Sequence, residues 1–388
     1  MAGSVNLILI AKGVRTLAFG AVSVLTPIYL AMLGYPPQLV GLGIFFIVAG
    51  NAVSNILLTW YGNLVGRRRM LVAFSSLMAA SGALLFLGGP FPLLAAALAM
   101  GNISTTGTEA GPFQSIEVGV LPRLAGARIG RVLGVYNVIG YSASALGALA
   151  ASLPSYVEDP LMAIRDMYLG YAAVGVILAS IYAGMEGLNS SKASAGLSHV
   201  SPAARADIGK LSALFAVDAF GGGLVSQSIV SYWFYVRYGA SLRELGIIFL
   251  AVNSVTAASI IAAPLVAERL GNLKTMVYTH MVSSAFLILI PLASTLPGSL
   301  LFLLLRQSTS QMDVPTRQAF MAQIFGDEER VPAMAITNTA RSLAALPGAP
   351  IAGSAIAVGL LGLPFLLSGS SKIAYDAAIY LSYRERAS

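Results

Sequence analysis

The chain has no cysteine, only two histidines and two tryptophans, and charged side chains make up just 10% of its 388 residues. Without cysteine there is neither a disulfide framework nor a thiolate metal site. The histidines, His199 and His280, stand far apart in sequence. That argues against a His-rich metal centre and against a Ser-His-Asp hydrolase. No glycine-rich phosphate loop ending in Gly-Lys-Ser/Thr occurs, so nothing points to ATP hydrolysis. No enzyme is expected and no cofactor is implied. The scarcity of charge excludes the most. Soluble domains average about 25% charged residues, and a water-facing surface cannot be built from so few.

What the chain does contain is apolar: 57% of its residues are hydrophobic and its mean hydropathy is +0.79. The solvent for most of it is therefore the lipid bilayer. A spanning helix needs about 20 largely apolar residues. Twelve stretches qualify: 5–33, 38–61, 70–88, 91–120, 130–154, 162–187, 209–236, 242–264, 274–294, 297–322, 332–357 and 358–382. The last two are separated only by the cluster at Gly362–Pro364. The Ser/Ala-rich segment 188–208 interrupts the pattern and reads as a connector. The expected class is thus an all-α membrane protein. It would have an N-terminal six-helix bundle (1–187), a connector (188–208) and a C-terminal six-helix bundle (209–388). Lys12 and Arg15 interrupt the first apolar run, so it does not read as a cleavable signal.

The formal net charge is +7, but nucleic acid is not the expected partner. The positive residues lie in short loops between apolar stretches. Fourteen of the 23 Lys and Arg residues fall on the side of the Arg67–Arg69 corner and three on the other. By the positive-inside rule this puts both termini and the connector in the cytoplasm, and a plasma-membrane location is expected.

A repeat organises the chain. Gly34, Gly41 and Gly66 recur at Gly239, Gly246 and Gly271, each displaced by the same interval. An apolar stretch lies between the second and third glycine of each set, and a charged corner follows. Two homologous halves in one membrane chain is the simplest reading.

The corners carry a resemblance. The first reads Gly62-Asn63-Leu64-Val65-Gly66-Arg67-Arg68, the second Glu268-Arg269-Leu270-Gly271. Together with twelve stretches and a central connector they resemble the major facilitator superfamily, in a prokaryotic branch without an assigned substrate. The resemblance implies two pseudo-symmetric six-helix bundles and alternating access. It also implies a cytoplasmic gate braced by Asn63, Gly66, Arg67, Arg68, Glu268, Arg269 and Gly271. Asn63 stands where the family prefers aspartate, so a strong ionic lock is not expected in the first copy. The fifth stretch (130–154), which reads Gly140 to Gly147 at the place of the family's antiporter Gly-Pro step, lacks that step, which leaves the direction of transport open.

A charge at a helix centre costs about 2.5–3.5 kcal/mol on insertion scales, so each one needs a reason. Nine are singled out: Lys12, Arg15, Glu109, Glu117, Asp218, Arg306, Asp313, Arg317 and Arg341. In the family the resemblance names, the first, fourth, seventh and tenth spans line the central cavity, and all but Arg341 fall there. Arg15, Glu109, Asp218, Asp313 and Arg341 come out at similar depth. They could form one mixed-charge constellation for substrate, protons or both. Proton-coupling candidates are Glu109, Asp218 and Asp313. Substrate-binding candidates are Arg15, Glu109, Gln114, Asp218, Gln227, Arg317 and Arg341.

Plainer roles are also open. Asp313 and Arg317 stand four apart and can pair along one helix. Arg306 can pair with Asp313, and Arg341 can brace the half-helix around Pro347 and Pro350. Glu117 reads as an interfacial or gate partner of Arg123. Lys12 reads as snorkelling to the interface, His280 as interfacial, and Tyr232–Phe234 as an aromatic belt. Gly221–Gly223 serve either close packing or a hinge. Ala143, Gly147 and Ala151 form a small-residue seam.

The expected function is a secondary active transporter for a small organic solute, with carboxylates favouring protons over sodium and with efflux as the leading direction. A uniporter or symporter for an organic anion is the alternative within that class. A passive channel and a non-transporting sensor are the rivals outside it. A monomer is expected.

Overall fold

The computed structural model describes residues 2–108, 111–126, 129–185 and 201–385, and the side chains of all of these except residues 2, 3, 63, 203, 327, 328 and 331. Every regular element among them is helical. The α-helices are α1 (Ala2–Met32), α2 (Pro37–Val65), α3 (Arg67–Leu87), α4 (Phe91–Met100), α5 (Pro112–Ala125), α6 (Ile129–Ala150), α7 (Pro160–Gly184) and α8 (Pro202–Leu224). There follow α9 (Gln227–Tyr238), α10 (Leu242–Leu270), α11 (Asn272–Leu289), α12 (Leu296–Ser310), α13 (Asp313–Ile324), α14 (Asp327–Ala345), α15 (Gly348–Ala357) and α16 (Leu363–Tyr383).

Helix ends follow local chemistry. Asp159, Ser201, Ser226 and Thr295 cap α7, α8, α9 and α12 by accepting from backbone N–H groups of the first turn, which meets donors that a helix leaves unpaired. At the α2–α3 and α10–α11 corners the chain turns on one residue, Gly66 at φ 91° and Gly271 at φ 82°. A side chain is strained in that region, so both copies of the repeat keep glycine there.

Eight segments among the described residues are long and apolar enough to cross a membrane. The chain is a multi-pass membrane protein. Four of the expected stretches are broken, one of them (209–236) within a counted segment, while 358–382 is the single helix α16. The stretch 91–120 is not one helix but α4 and α5, with non-helical backbone from Gly101 to Thr108. Stretches 297–322 and 332–357 are likewise the pairs α12–α13 and α14–α15, and 209–236 breaks between α8 and α9. The α14–α15 break holds Pro347, and the α4–α5 break holds Gly101, Gly107 and a run of hydroxyl and amide side chains that compete for the backbone.

Irregular backbone at membrane depth must be satisfied by protein. Asn51 Nδ2 donates to the carbonyl of Ile103 (2.8 Å), Ser144 Oγ to that of Gly107 (2.5 Å) and the Ser228 N–H to that of Thr105 (3.1 Å). Asn102 stands at φ 51°, a conformation asparagine tolerates better than most residues.

The chain forms two compact units, residues 1–192 with 226–253, and residues 193–225 with 254–388. In the first, α3 packs along α7 and α1 along α6. A Cβ on Gly147 would meet the Leu17 carbonyl and one on Gly20 that of Ser144, so the small-residue seam on α6 is a backbone-to-backbone contact. Tyr232, Trp233 and Phe234 are buried in this unit. They are packing residues, not an interfacial belt. Lys12 is buried too, with Nζ 4.4 Å from the Tyr136 ring centre. It does not snorkel, because an aromatic face receives its charge.

In the second unit α8 packs along α14 and α16, and α11 along α16. Gly223 and Gly348 face each other so closely that a Cβ on Gly348 would meet the backbone of Gly223 and Leu224. Gly223 therefore serves close packing at the end of α8. A core of Phe215, Met276, Val277, Phe320, Met321, Tyr375 and Ile379 closes around the polar groups described next.

Candidate functional site

Each unit holds one buried charge cluster. In the first, Arg15 of α1 meets Glu117 of α5 in a two-pronged pair, Nη1 to Oε1 at 3.0 Å and Nη2 to Oε2 at 2.7 Å. Tyr182 of α7 donates to Oε1 (2.5 Å) and Tyr136 of α6 to Oε2 (2.7 Å). Arg15 also donates to Tyr182 (2.7 Å), and its guanidinium lies 4.8 Å from the Phe113 ring centre. All of these side chains are buried. Glu117 thus accepts four hydrogen bonds and its charge is matched. Sequence proximity points Glu117 to Arg123, whereas its partner stands 102 residues away.

The second cluster is built on Asp218 of α8. Its Oδ1 takes Lys372 Nζ of α16 (2.6 Å), and its Oδ2 takes Arg341 Nη1 of α14 (2.7 Å). Arg317 Nη1 of α13 stands 3.7 Å from Oδ2 and donates to Asp313 at 2.8 Å. The within-helix pair Asp313–Arg317 therefore forms, and it also joins the cluster. Arg341 is a partner of Asp218, not a brace for the half-helix beyond it. His280 of α11 completes the arrangement. Its Nε2 lies 3.4 Å from Asp218 Oδ1 and 3.3 Å from Lys372 Nζ, while its Nδ1 lies 2.9 and 3.0 Å from the two oxygens of Asp376 on α16. His280 is buried among these groups rather than interfacial.

The cluster has an open end and a closed end. The side chains of Arg341 and Arg317 are 23% and 14% exposed, Asp218 is 3% exposed and Asp376 is fully buried. Both guanidinium groups lie near the Phe215 ring, at 5.9 and 5.6 Å from its centre. Three carboxylates (Asp218, Asp313, Asp376) face three fixed cations (Arg317, Arg341, Lys372), so the bonded groups balance when the imidazole is neutral. Such balance makes buried charge tolerable.

Of the other expected site residues, Glu109 and the Asn63 side chain lie outside the described residues. Gln114 is exposed on α5. Gln227 donates to Ser23 Oγ at 2.8 Å within the first unit. Arg306 donates to Gln307, not to Asp313. At the corners, Arg67 follows Gly66, Arg68 donates to the Ala183 carbonyl at the end of α7, and Glu268 and Arg269 are exposed. Lys372, Asp376, Glu117 and His280 belong to the clusters but not to the expected site. Lys372 and Asp376 stand four apart in an apolar stretch, and the charge rule applied to the others would have found them.

The two clusters occupy matching places with the signs exchanged. A cation on α1 meets an acid on α5, the second piece of a broken pair. An acid on α8 stands by a cation on α13, again the second piece of a broken pair. The main helix pairings recur as well, α1–α6 and α3–α7 against α8–α14 and α11–α16.

No family model matches the chain. A yeast protein is similar to it along most of both lengths: the uncharacterized membrane protein YJR124C of Saccharomyces cerevisiae is 26% identical over 93% of this chain and 90% of its own. Among solved structures, a D-xylose–proton symporter has a TM-score of 0.77 at 16% identity, covering 98% of this chain and 97% of that one. The nucleoside transporter NupG has a TM-score of 0.75 at 13% identity, covering 97% and 98%. At such identities the likeness shows the fold, which is that of major facilitator transporters. The yeast relative gives no ground for confining the resemblance to a prokaryotic branch.

Proposed function

We propose that the chain is a secondary active transporter that crosses the membrane twelve times and moves a small organic anion, coupled to protons, by alternating access. In this reading the pairs α4–α5, α8–α9, α12–α13 and α14–α15 are each one broken pass, and both termini face the cytoplasm of a plasma-membrane protein. The observation that carries it is the balanced charge cluster on Asp218, with two partly exposed arginines at its open end. An apolar ring beneath two guanidinium groups favours a carboxylate-bearing or similar anion, because arginine offers paired N–H groups to planar oxyanions. A neutral sugar would not need such a charge load. The likeness to a proton symporter and to a nucleoside transporter supports transport as the class. The Asn63–Arg68 and Glu268–Gly271 corners act on the cytoplasmic gate.

The test is solute flux into proteoliposomes under an imposed pH gradient, screened over anionic, cationic and neutral organic solutes. Anion flux that follows the gradient is expected and should fall at least tenfold in Arg341→Gln. Flux of neutral solutes alone, or unitary currents far above carrier turnover, would refute this reading.

A further inference from the structure

The imidazole of His280 is placed between two opposite demands. Its Nε2 is 3.3 Å from Lys372 Nζ, which can only donate, and 3.4 Å from Asp218 Oδ1, which as a carboxylate can only accept. Its Nδ1 faces both oxygens of Asp376, so Nδ1 carries a hydrogen and donates there. A neutral ring then accepts from Lys372 at Nε2. A ring that has taken a proton can no longer do so, and its new N–H faces Asp218 instead. The two states differ by one proton and by which partner Nε2 holds, with little movement of the ring.

We propose that His280, held by Asp376, is the binding site of the coupling proton, and that occupying it turns Nε2 from Lys372 to Asp218. This rests on the transporter reading above and moves the proton from the carboxylates alone to a histidine. The new N–H bond forms at Nε2 with a proton from water, and nothing is oxidised or reduced. The bonded network then gains one positive charge. Asp218 shares its charge with one more cation and holds Arg341 less tightly. That leaves the guanidinium at the open end available to an anion. Proton and anion thus help each other to bind, as linkage requires of two ligands that favour one state.

The groups around His280 allow such a switch. α11 packs against α12, α13 and α16. From α16 come Lys372, Asp376 and Tyr375, whose ring meets the imidazole edge-on with centres 5.9 Å apart. From α13 come Asp313 and Arg317, already paired to each other. α12 contributes Arg306, turned onto Gln307. α8 contributes Asp218, and α14 contributes Arg341 through it. Because the groups interact strongly, the proton belongs to the set rather than to one isolated ring.

The sequence makes the test direct, since the chain has only two histidines. In the full chain carrying His199→Gln, 15N-histidine labelling leaves one imidazole to observe by NMR in lipid nanodiscs. The expected result is a neutral ring protonated at Nδ1 at high pH that becomes an imidazolium within the range pH 5–9. Lys372→Met should keep the imidazolium to higher pH by about one unit or more, because it removes a competing like charge. Asp376→Asn should change the Nδ1 signal while the chain stays folded. A ring that stays neutral from pH 5 to 9, one protonated only at Nε2, or a titration that Lys372→Met leaves in place would each overturn the proposal. The measurement needs no solute, so it fails independently of the flux assay.

Discussion

The pair Arg15–Glu117 offers the sharpest energetic test of the first unit. Glu117→Gln keeps the shape of the side chain and removes its charge. The amide can still accept from Tyr182 and face Tyr136, so the tyrosines keep partners. Arg15 loses its counter-charge: its guanidinium remains buried at 0% exposure, with a neutral amide where two charge-assisted bonds of 3.0 and 2.7 Å had been. Breaking a buried pair on one side costs about 3–5 kcal/mol. Arg15→Met together with Glu117→Gln removes the stranded charge and should recover most of that loss, leaving a coupling on the order of 3 kcal/mol. Equilibrium unfolding in mixed micelles, followed by tryptophan fluorescence, reads the relevant unit, because both tryptophans, Trp60 and Trp233, lie in it. The reasoning is refuted if Glu117→Gln costs less than about 1 kcal/mol, the level of an exposed ion pair, or if the double variant is no more stable than the single.

Three further outcomes are expected. Asp218→Asn should abolish gradient-driven flux and lower the unfolding midpoint, since Lys372 and Arg341 both lose their carboxylate; flux within twofold of the parent would remove Asp218 from the site. Gly348→Val should destabilise by about 1–3 kcal/mol or more, as overpacking does, because its side chain meets the backbone of Gly223 and Leu224; a neutral effect in the same unfolding assay would mean α15 can shift freely. Asn63→Asp should favour the outward-facing state and Glu268→Gln disfavour it; cysteine-accessibility labelling unchanged by either would reduce the corners to turns.

Some of this was legible before any coordinates. The corner glycines were, because Gly66 and Gly271 meet a steric need that only their position in the repeat reveals. Asp218, Asp313, Arg317 and Arg341 were, because ionised groups in apolar stretches are costly wherever they fall, and the second unit does bring these four together. Partner choice was not. Arg123 is the nearest arginine to Glu117 in sequence, but folding joins Glu117 to α1. His280 and Lys12 stand near helix ends in sequence, which says nothing about what packs around those ends. Tyr232–Phe234 look like a membrane-interface belt in composition alone, and only packing places them inside. The broken helices were half visible. Gly111-Pro112 marks where α5 starts, but the length of the interruption before it depends on donors from α2, α6 and α9.

Those donors bear on how the chain is made. α4 has ten residues, about 15 Å of helix against a hydrocarbon layer of about 30 Å, and the carbonyls of Ile103, Thr105 and Gly107 beyond it are met by groups from other helices. Of the groups that cover them, Asn51 is synthesised earlier, Ser144 somewhat later and Ser228 more than a hundred residues on. If α4 and α5 form one pass, as proposed, this part of the chain lacks a full set of hydrogen-bond partners until α9 emerges during translation. Stable insertion of α4 and α5 is then expected late in biogenesis. Nascent chains stopped before Ser226 should hold them less firmly in the membrane than chains released after Tyr238.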